Sequence, residues 1–152
     1  MLNYPKTAIS KINGASEYKA LHGEVFFRQT PHGVLITAAI HGLPIQEENN
    51  KFGVFGFHIH EGTECDKSGD FSKTLGHFNP SNTLHPYHSG DLPPLFSNNG
   101  NAYMQVLTDR FRLRDIIGRT VVIHSSPDDF KTQPSGNSGK KIACGVIKEI
   151  KE

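Results

Sequence analysis

Apolar residues in this chain come in short runs, broken every few positions by glycine, proline or asparagine. Runs rich in β-branched and aromatic residues at 7–12, 25–29, 34–40, 54–60, 103–107, 121–124 and 143–147 predict strands. Turn signals separate them: Asn13-Gly14, Pro31-His32-Gly33 and Asn98-Asn99-Gly100. The run 36–40 alternates only loosely, so the pattern does not assign its two faces. No segment sustains a 3.6-residue apolar stripe, and an all-β antiparallel sandwich or barrel follows. Two stretches, 61–95 and 125–140, lack strand character and are read as large loops. Loops of that length in a compact domain tend to carry function.

The length of 152 residues suits one domain over 1–152 with a single core, and there is no internal repeat or low-complexity linker. Sixteen basic against 15 acidic residues give no strongly basic face, which argues against nucleic acid as a partner. No stretch approaches the roughly 18 apolar residues of a membrane span, so no membrane partner is expected. The segment Met1-Leu2-Asn3-Tyr4-Pro5-Lys6 is unlike the start of a signal peptide, and a cytoplasmic location is the expectation. An exported form from which a signal has been removed is the alternative.

Histidine changes the picture. Six of the nine histidines fall between Phe57 and His124. Side chains two apart on a strand point the same way, so His58 and His60 project from one face roughly 6 to 7 Å apart and can converge on one ion. His77 follows, then His85, His88 and Asp91 in a segment dense with proline and glycine, and His124 ends the run 121–124. Three imidazoles and a carboxylate make the closed tetrahedral set of structural zinc. Copper(II) favours a tetragonal field of nitrogens, which His58, His60, His124 and one further imidazole would supply. Taken singly, each has an ordinary reading: a strand pair, solvated loop residues, a satisfied core histidine. The joint arrangement points to two adjacent metal ions. His22, His32 and His41 stand outside the pattern and are read as surface or turn residues.

Five blocks then carry a resemblance: Gly56-Phe57-His58-Ile59-His60-Glu61, Gly76-His77-Phe78-Asn79-Pro80, His88-Ser89-Gly90-Asp91-Leu92, the segment 117–124, and Gly136-Asn137-Ser138-Gly139 with Ala143-Cys144-Gly145-Val146-Ile147. In order and spacing the chain resembles the copper-zinc superoxide dismutase family over nearly its whole length, most strongly from 53 to 147. The resemblance implies a flattened eight-stranded Greek-key barrel with two long functional loops. It implies copper on His58, His60, His77 and His124, and zinc on His77, His85, His88 and Asp91, with His77 bridging both ions and supplying a proton. Asp128 would accept hydrogen bonds from His58 and His85. Cys65 and Cys144, which composition alone would leave as free thiols in an intracellular protein, would form a disulfide. The implied activity is that of an oxidoreductase disproportionating superoxide to oxygen and hydrogen peroxide. Monomers and homodimers both occur in such a family.

Three departures accompany the resemblance. Lys141 stands where the family usually has an arginine that guides the substrate, and lysine keeps the charge without the planar fork. The interval from His85 to His88 is short, and so is the loop 125–140, which implies a more open channel. An active enzyme with weaker substrate docking is the expectation; a catalytically weak copper- and zinc-binding module is the alternative, and a sandwich interaction domain with incidental histidines is a third reading.

Overall fold

The computed structural model describes residues 4–66 and 70–151. Among them, nine strands carry the fold: β1 (Thr7–Gly14), β2 (His22–Thr30), β3 (Gly33–His41), β4 (Phe52–Phe55), β5 (Phe57–His60), β6 (Leu95–Asn98), β7 (Ala102–Thr108), β8 (Thr120–His124) and β9 (Lys141–Glu149). One helical turn, α1 (Leu113–Ile116), precedes β8, and a 3₁₀ turn, Ser72–Thr74, lies between β5 and β6.

All strand pairs are antiparallel. Seven strands form one sheet in the order β5-β8-β9-β1-β2-β3-β7, while β4 and β6 pair separately. The two sheets are continuous along the chain, because β4 runs into β5 through Gly56 and β6 turns into β7 at Asn98–Asn101. Counting β4 and β5 as one bent strand leaves eight, and the small pair bridges both edges of the large sheet. From β3 the chain crosses to the far side as β4 and β5 and returns as β7 beside β3, which is a Greek-key connection.

The predicted strand 54–60 is therefore two strands. At Gly56 the backbone leaves the β4–β6 ladder: its N–H donates to Ser126 O, and its C=O accepts from His124 N–H. Periodicity could not locate that change of partner, since the residues stay apolar through it. The strand Leu95–Asn98 also went unpredicted, its first residue falling at the end of the stretch read as a loop. The run 36–40 resolves cleanly, with Val34, Ile36, Ala38 and Ile40 fully buried and the residues between them half-buried. They join Val25, Phe27, Phe55, Phe57, Leu95 and Ile123 in one core, each such side chain worth about 1.5–3 kcal/mol on burial.

β5 and β8 differ from the rest in being buried at every position. Phe57, Ile59, Val121 and Ile123 face the core; His58, His60, Val122 and His124 face outward yet are covered. The cover is the segment between β5 and β6, which is far from structureless. Ile59 N–H donates to Gly90 O at 2.9 Å, Phe78 N–H donates to Ile59 O at 2.8 Å, and Gly90 N–H donates to Phe78 O at 2.8 Å. The loop thus occupies the edge of β5, with His58 opposite Asp91 and His60 opposite His77. Cys65 and Cys144 form the expected disulfide, tying the start of this loop to β9 across 79 positions. Closing a loop of that length is worth about 4 kcal/mol through the unfolded chain. Beneath it Phe71, Val122 and Cys144 make a second, smaller apolar cluster.

Gly90 permits the close approach, because a Cβ there would run into the Ile59 carbonyl and press on Phe78. Gly90→Val is expected to cost about 1–3 kcal/mol by overpacking. The Ile59 and Phe78 amides should then exchange with solvent faster while β1–β3 amides keep their protection, as measured by hydrogen exchange. Unchanged protection at both amides would rule out this account of the loop.

Candidate metal centre

β5 delivers His58 and His60 from one face, with ring centroids 6.2 Å apart, as the period of a strand requires. β8 delivers His124 at its last residue, where the β8–β9 ladder shifts register between Ile123 and His124 and re-aims the side chain. The loop on β5 delivers His77. These four place one ligand atom each within 4.8 Å of one another, and so do His77, His85, His88 and Asp91. His77 belongs to both groups. All seven residues are at most 8% exposed.

The hydrogen bonds decide which nitrogens are free. Asp128 accepts from His58 Nε2 and from His85 Nε2, both at 2.8 Å, one on each carboxylate oxygen. A neutral imidazole that donates through Nε2 carries its lone pair on Nδ1. His58 Nδ1 is buried without a hydrogen-bond partner. His85 Nδ1 lies 3.0 Å from Asp91 Oδ2, a contact of two acceptors that only a proton or a cation can hold together. Asp91 also meets His77 Nδ1 at 2.7 Å and His88 Nδ1 at 3.2 Å. The two imidazole nitrogens of His77 and His88 stand 3.2 Å apart. Ligands at about 2.0–2.1 Å from a tetrahedral ion have edges of that size.

His77 uses Nδ1 in this second cluster, leaving Nε2 buried and unpartnered for the first. His60 donates through Nδ1 to Leu75 O at 2.9 Å, so its Nε2 is an acceptor, and it faces His124 Nε2 at 3.2 Å. Each cluster therefore gathers imidazole nitrogens, with a carboxylate in the second, around one point, His77 carrying its single proton on one side or the other, and such donor sets suit cations.

Charge follows the same logic. Burial pushes the His58 imidazole down to about 4, and burial together with neighbouring imidazoles holds His60 and His124 well below the usual histidine range. Neutral rings are what a metal requires. Burial alone would raise the Asp128 carboxyl, but the hydrogen bonds from His58 and His85 outweigh it and keep the group below the ordinary carboxylate range. Asp91 is likewise held low against burial, chiefly by His77.

Lys141 opens β9, opposite His124. Its Nζ donates to Thr74 Oγ1 at 2.8 Å, Leu75 O at 3.0 Å and Phe71 O at 3.4 Å, which uses all three donors of an ammonium on the loop. Leu75 O is the carbonyl that also orients His60.

Three further residues shape the site without having been anticipated as such. The Gln133 side chain grips the His85 backbone from both sides, accepting from its N–H at 2.9 Å and donating to its C=O at 2.7 Å. Arg110 Nη1 reaches the carbonyls of Pro86, His88 and Asp91 at 3.2–3.3 Å. Gly136, at φ +72°, passes directly over the Asp128–His85 hydrogen bond, where a Cβ would collide with the carboxylate. Gly136 sits in a motif visible in the sequence, but nothing near Gln133 or Arg110 along the chain marks them. His22, His32 and His41 are exposed and outside both clusters, as expected.

Comparison with known proteins agrees with this geometry. The family model for copper/zinc superoxide dismutase matches residues 21–147. A Cu-Zn superoxide dismutase of Legionella pneumophila is 40% identical over 134 residues, covering 83% of this chain and 77% of the relative. A second Cu-Zn superoxide dismutase, from Aquifex aeolicus strain VF5, is 39% identical over 141 residues, covering 83% and 78%. Among solved structures, the Cu/Zn superoxide dismutase of Brucella abortus superposes with a TM-score of 0.75 at 27% identity, covering 93% of this chain and 99% of the other. A superoxide dismutase-like protein from Bacillus subtilis gives the same TM-score and identity over 91% and 96%. With a barrel of this topology carrying two clusters joined through one imidazole, the chain belongs to the copper/zinc superoxide dismutase family.

Proposed function

We propose that His58, His60, His77 and His124 hold the copper ion of a superoxide dismutase and that His77, His85, His88 and Asp91 hold its zinc ion. The observation that carries this reading is His77, whose Nδ1 belongs to one cluster of acceptors while its buried Nε2 is left to the other. The donor chemistry fits each metal: nitrogens alone for copper(II), three nitrogens and a carboxylate for zinc. When bound, copper supplies the one-electron exchange that oxidises one superoxide ion to oxygen and reduces another to peroxide, while zinc adds positive charge without redox change.

Disproportionation of two superoxide ions consumes two protons. His77 Nε2 is positioned to hold one and pass it to the peroxide being formed; water supplies the other. Asp91, fixed against His77 Nδ1 at 2.7 Å, sets the orientation of that ring. Asp128 fixes two more, since one carboxylate receives His58 from the copper cluster and His85 from the zinc cluster. Lys141 contributes charge and no hydrogen bond to the anion, its donors being engaged by the loop. Attraction of anions by such positive charge raises association rates, this enzyme class being one of the known cases. The same engagement of Lys141 favours a second reading, a metal-binding module with slow turnover. For assembly we propose a homodimer, to which the exposed Phe52 and Phe96 of the β4–β6 pair offer apolar surface.

His124→Ala is expected to abolish most superoxide consumption, by about tenfold or more, and to lower copper content, while zinc content and the β-type circular dichroism persist. Full activity in that variant would refute the assignment, and a slow parent enzyme with both metals bound would favour the module. Asp128→Asn removes an acceptor shared by two ligands, and affinity for both metals should fall about 10–100-fold in competition with chelators. Lys141→Met should lower kcat/KM about three- to tenfold and flatten its dependence on ionic strength. An unaltered salt dependence would exclude a role for that charge.

A further inference from the structure

His22 begins β2 and His41 ends β3, and the register of that hairpin sets them directly opposite each other. Both are exposed, on the outer face of the sheet. Their ring centroids stand 5.4 Å apart with the planes at 37°. Neither residue belongs to the two buried clusters.

Each ring is oriented through Nδ1. His22 Nδ1 lies 2.9 Å from Ala20 O, and a carbonyl only accepts, so the proton sits on Nδ1. His41 Nδ1 lies 2.8 Å from Asn101 Oδ1. The Asn101 amide is itself oriented, because its Nδ2 donates to Asn99 O at 3.2 Å, which leaves Oδ1 as the acceptor for His41. In both neutral rings the lone pair is therefore on Nε2. Holding one ring nitrogen with an oxygen acceptor so that the other is free is the usual arrangement behind metal-ligating histidines.

The buried centre of the same molecule provides a ruler. Ring pairs that belong to one cluster there span 4.0 to 6.2 Å, and His60–His124, His77–His85 and His85–His88 lie at 5.3, 5.4 and 5.6 Å. The 5.4 Å of His22–His41 falls among them. Two imidazoles bound to one ion at about 2.0–2.1 Å and a near-tetrahedral angle have centroids separated by close to this distance.

We infer that His22 and His41 form a third metal site, open to solvent, that takes a nitrogen-seeking divalent cation such as copper(II), zinc(II) or nickel(II) through the two Nε2 atoms, with water completing the shell. Calcium and magnesium, which require oxygen ligands, are excluded by the donor set. Lys11 and Glu24, register partners on the same face, leave the local charge balanced. In the sheet, His22 pairs with Asn13, which pairs with Cys144, so the site lies two strands from β9 at about 10 Å and shares no residue with the buried centre.

The test uses protein whose two buried sites are already filled. Equilibrium dialysis against copper(II) should give one further equivalent, with an electron paramagnetic resonance signal of nitrogen ligation separate from that of the buried copper. His22→Gln or His41→Gln should each weaken that third equivalent about a hundredfold, since a chelate becomes a single ligand. Dismutase activity and buried metal content should not move, and His32→Gln, which removes an exposed histidine without a partner ring, should leave the third equivalent in place. Absence of a third equivalent in the parent protein, or its survival in both His22→Gln and His41→Gln, would overturn the proposal.

Discussion

Ligand atoms gathered in a dry interior are the constraint around which this molecule is organised. Six imidazoles and one carboxylate are packed around two points, with the lone pair of His85 Nδ1 3.0 Å from Asp91 Oδ2 and His60 Nε2 3.2 Å from His124 Nε2. Desolvating such groups costs several kcal/mol unless something positive is shared among them. Cations at the two foci would satisfy every member at once, and the lowered proton affinity of His58, His60 and His124 suits them to that role.

The barrel makes this arrangement tolerable. Phe57, Ile59, Val121 and Ile123 anchor β5 and β8 in the core, so the alternate residues His58, His60 and His124 have little freedom. The loop that supplies the other ligands is held by backbone pairing to β5, by the disulfide to β9, by Arg110 on its carbonyls and by Gln133 on His85. Asp128 then joins the two long loops, because one carboxylate receives a proton donor from each cluster. Rigid support of this kind keeps metal ligands within tight tolerances.

Lys141 illustrates how the number of donors on a cation decides what it can reach. An arginine there would have donors to spare after bonding to the loop; the ammonium has three and uses them on Phe71, Thr74 and Leu75. The ammonium thereby steadies the Leu75 carbonyl, which also orients His60. The exposed pair His22 and His41 shows the converse, two residues with no place in the buried centre whose nitrogens are nevertheless arranged as ligands.

Strand periodicity, the turn dipeptides and the ordered histidines were enough to determine an all-β domain with two metals beside it, since side-chain direction along a strand is local and ligand chemistry is written in residue type. The disulfide between Cys65 and Cys144 was legible only through family resemblance, because nothing local relates positions 79 apart. The break of 54–60 into two strands at Gly56, the pairing of the loop with β5, and the parts taken by Gln133, Arg110 and the three donors of Lys141 were decided by tertiary structure alone. Each of these depends on which backbone carbonyl lies within hydrogen-bond reach, and that is a property of chain segments brought together from distant positions.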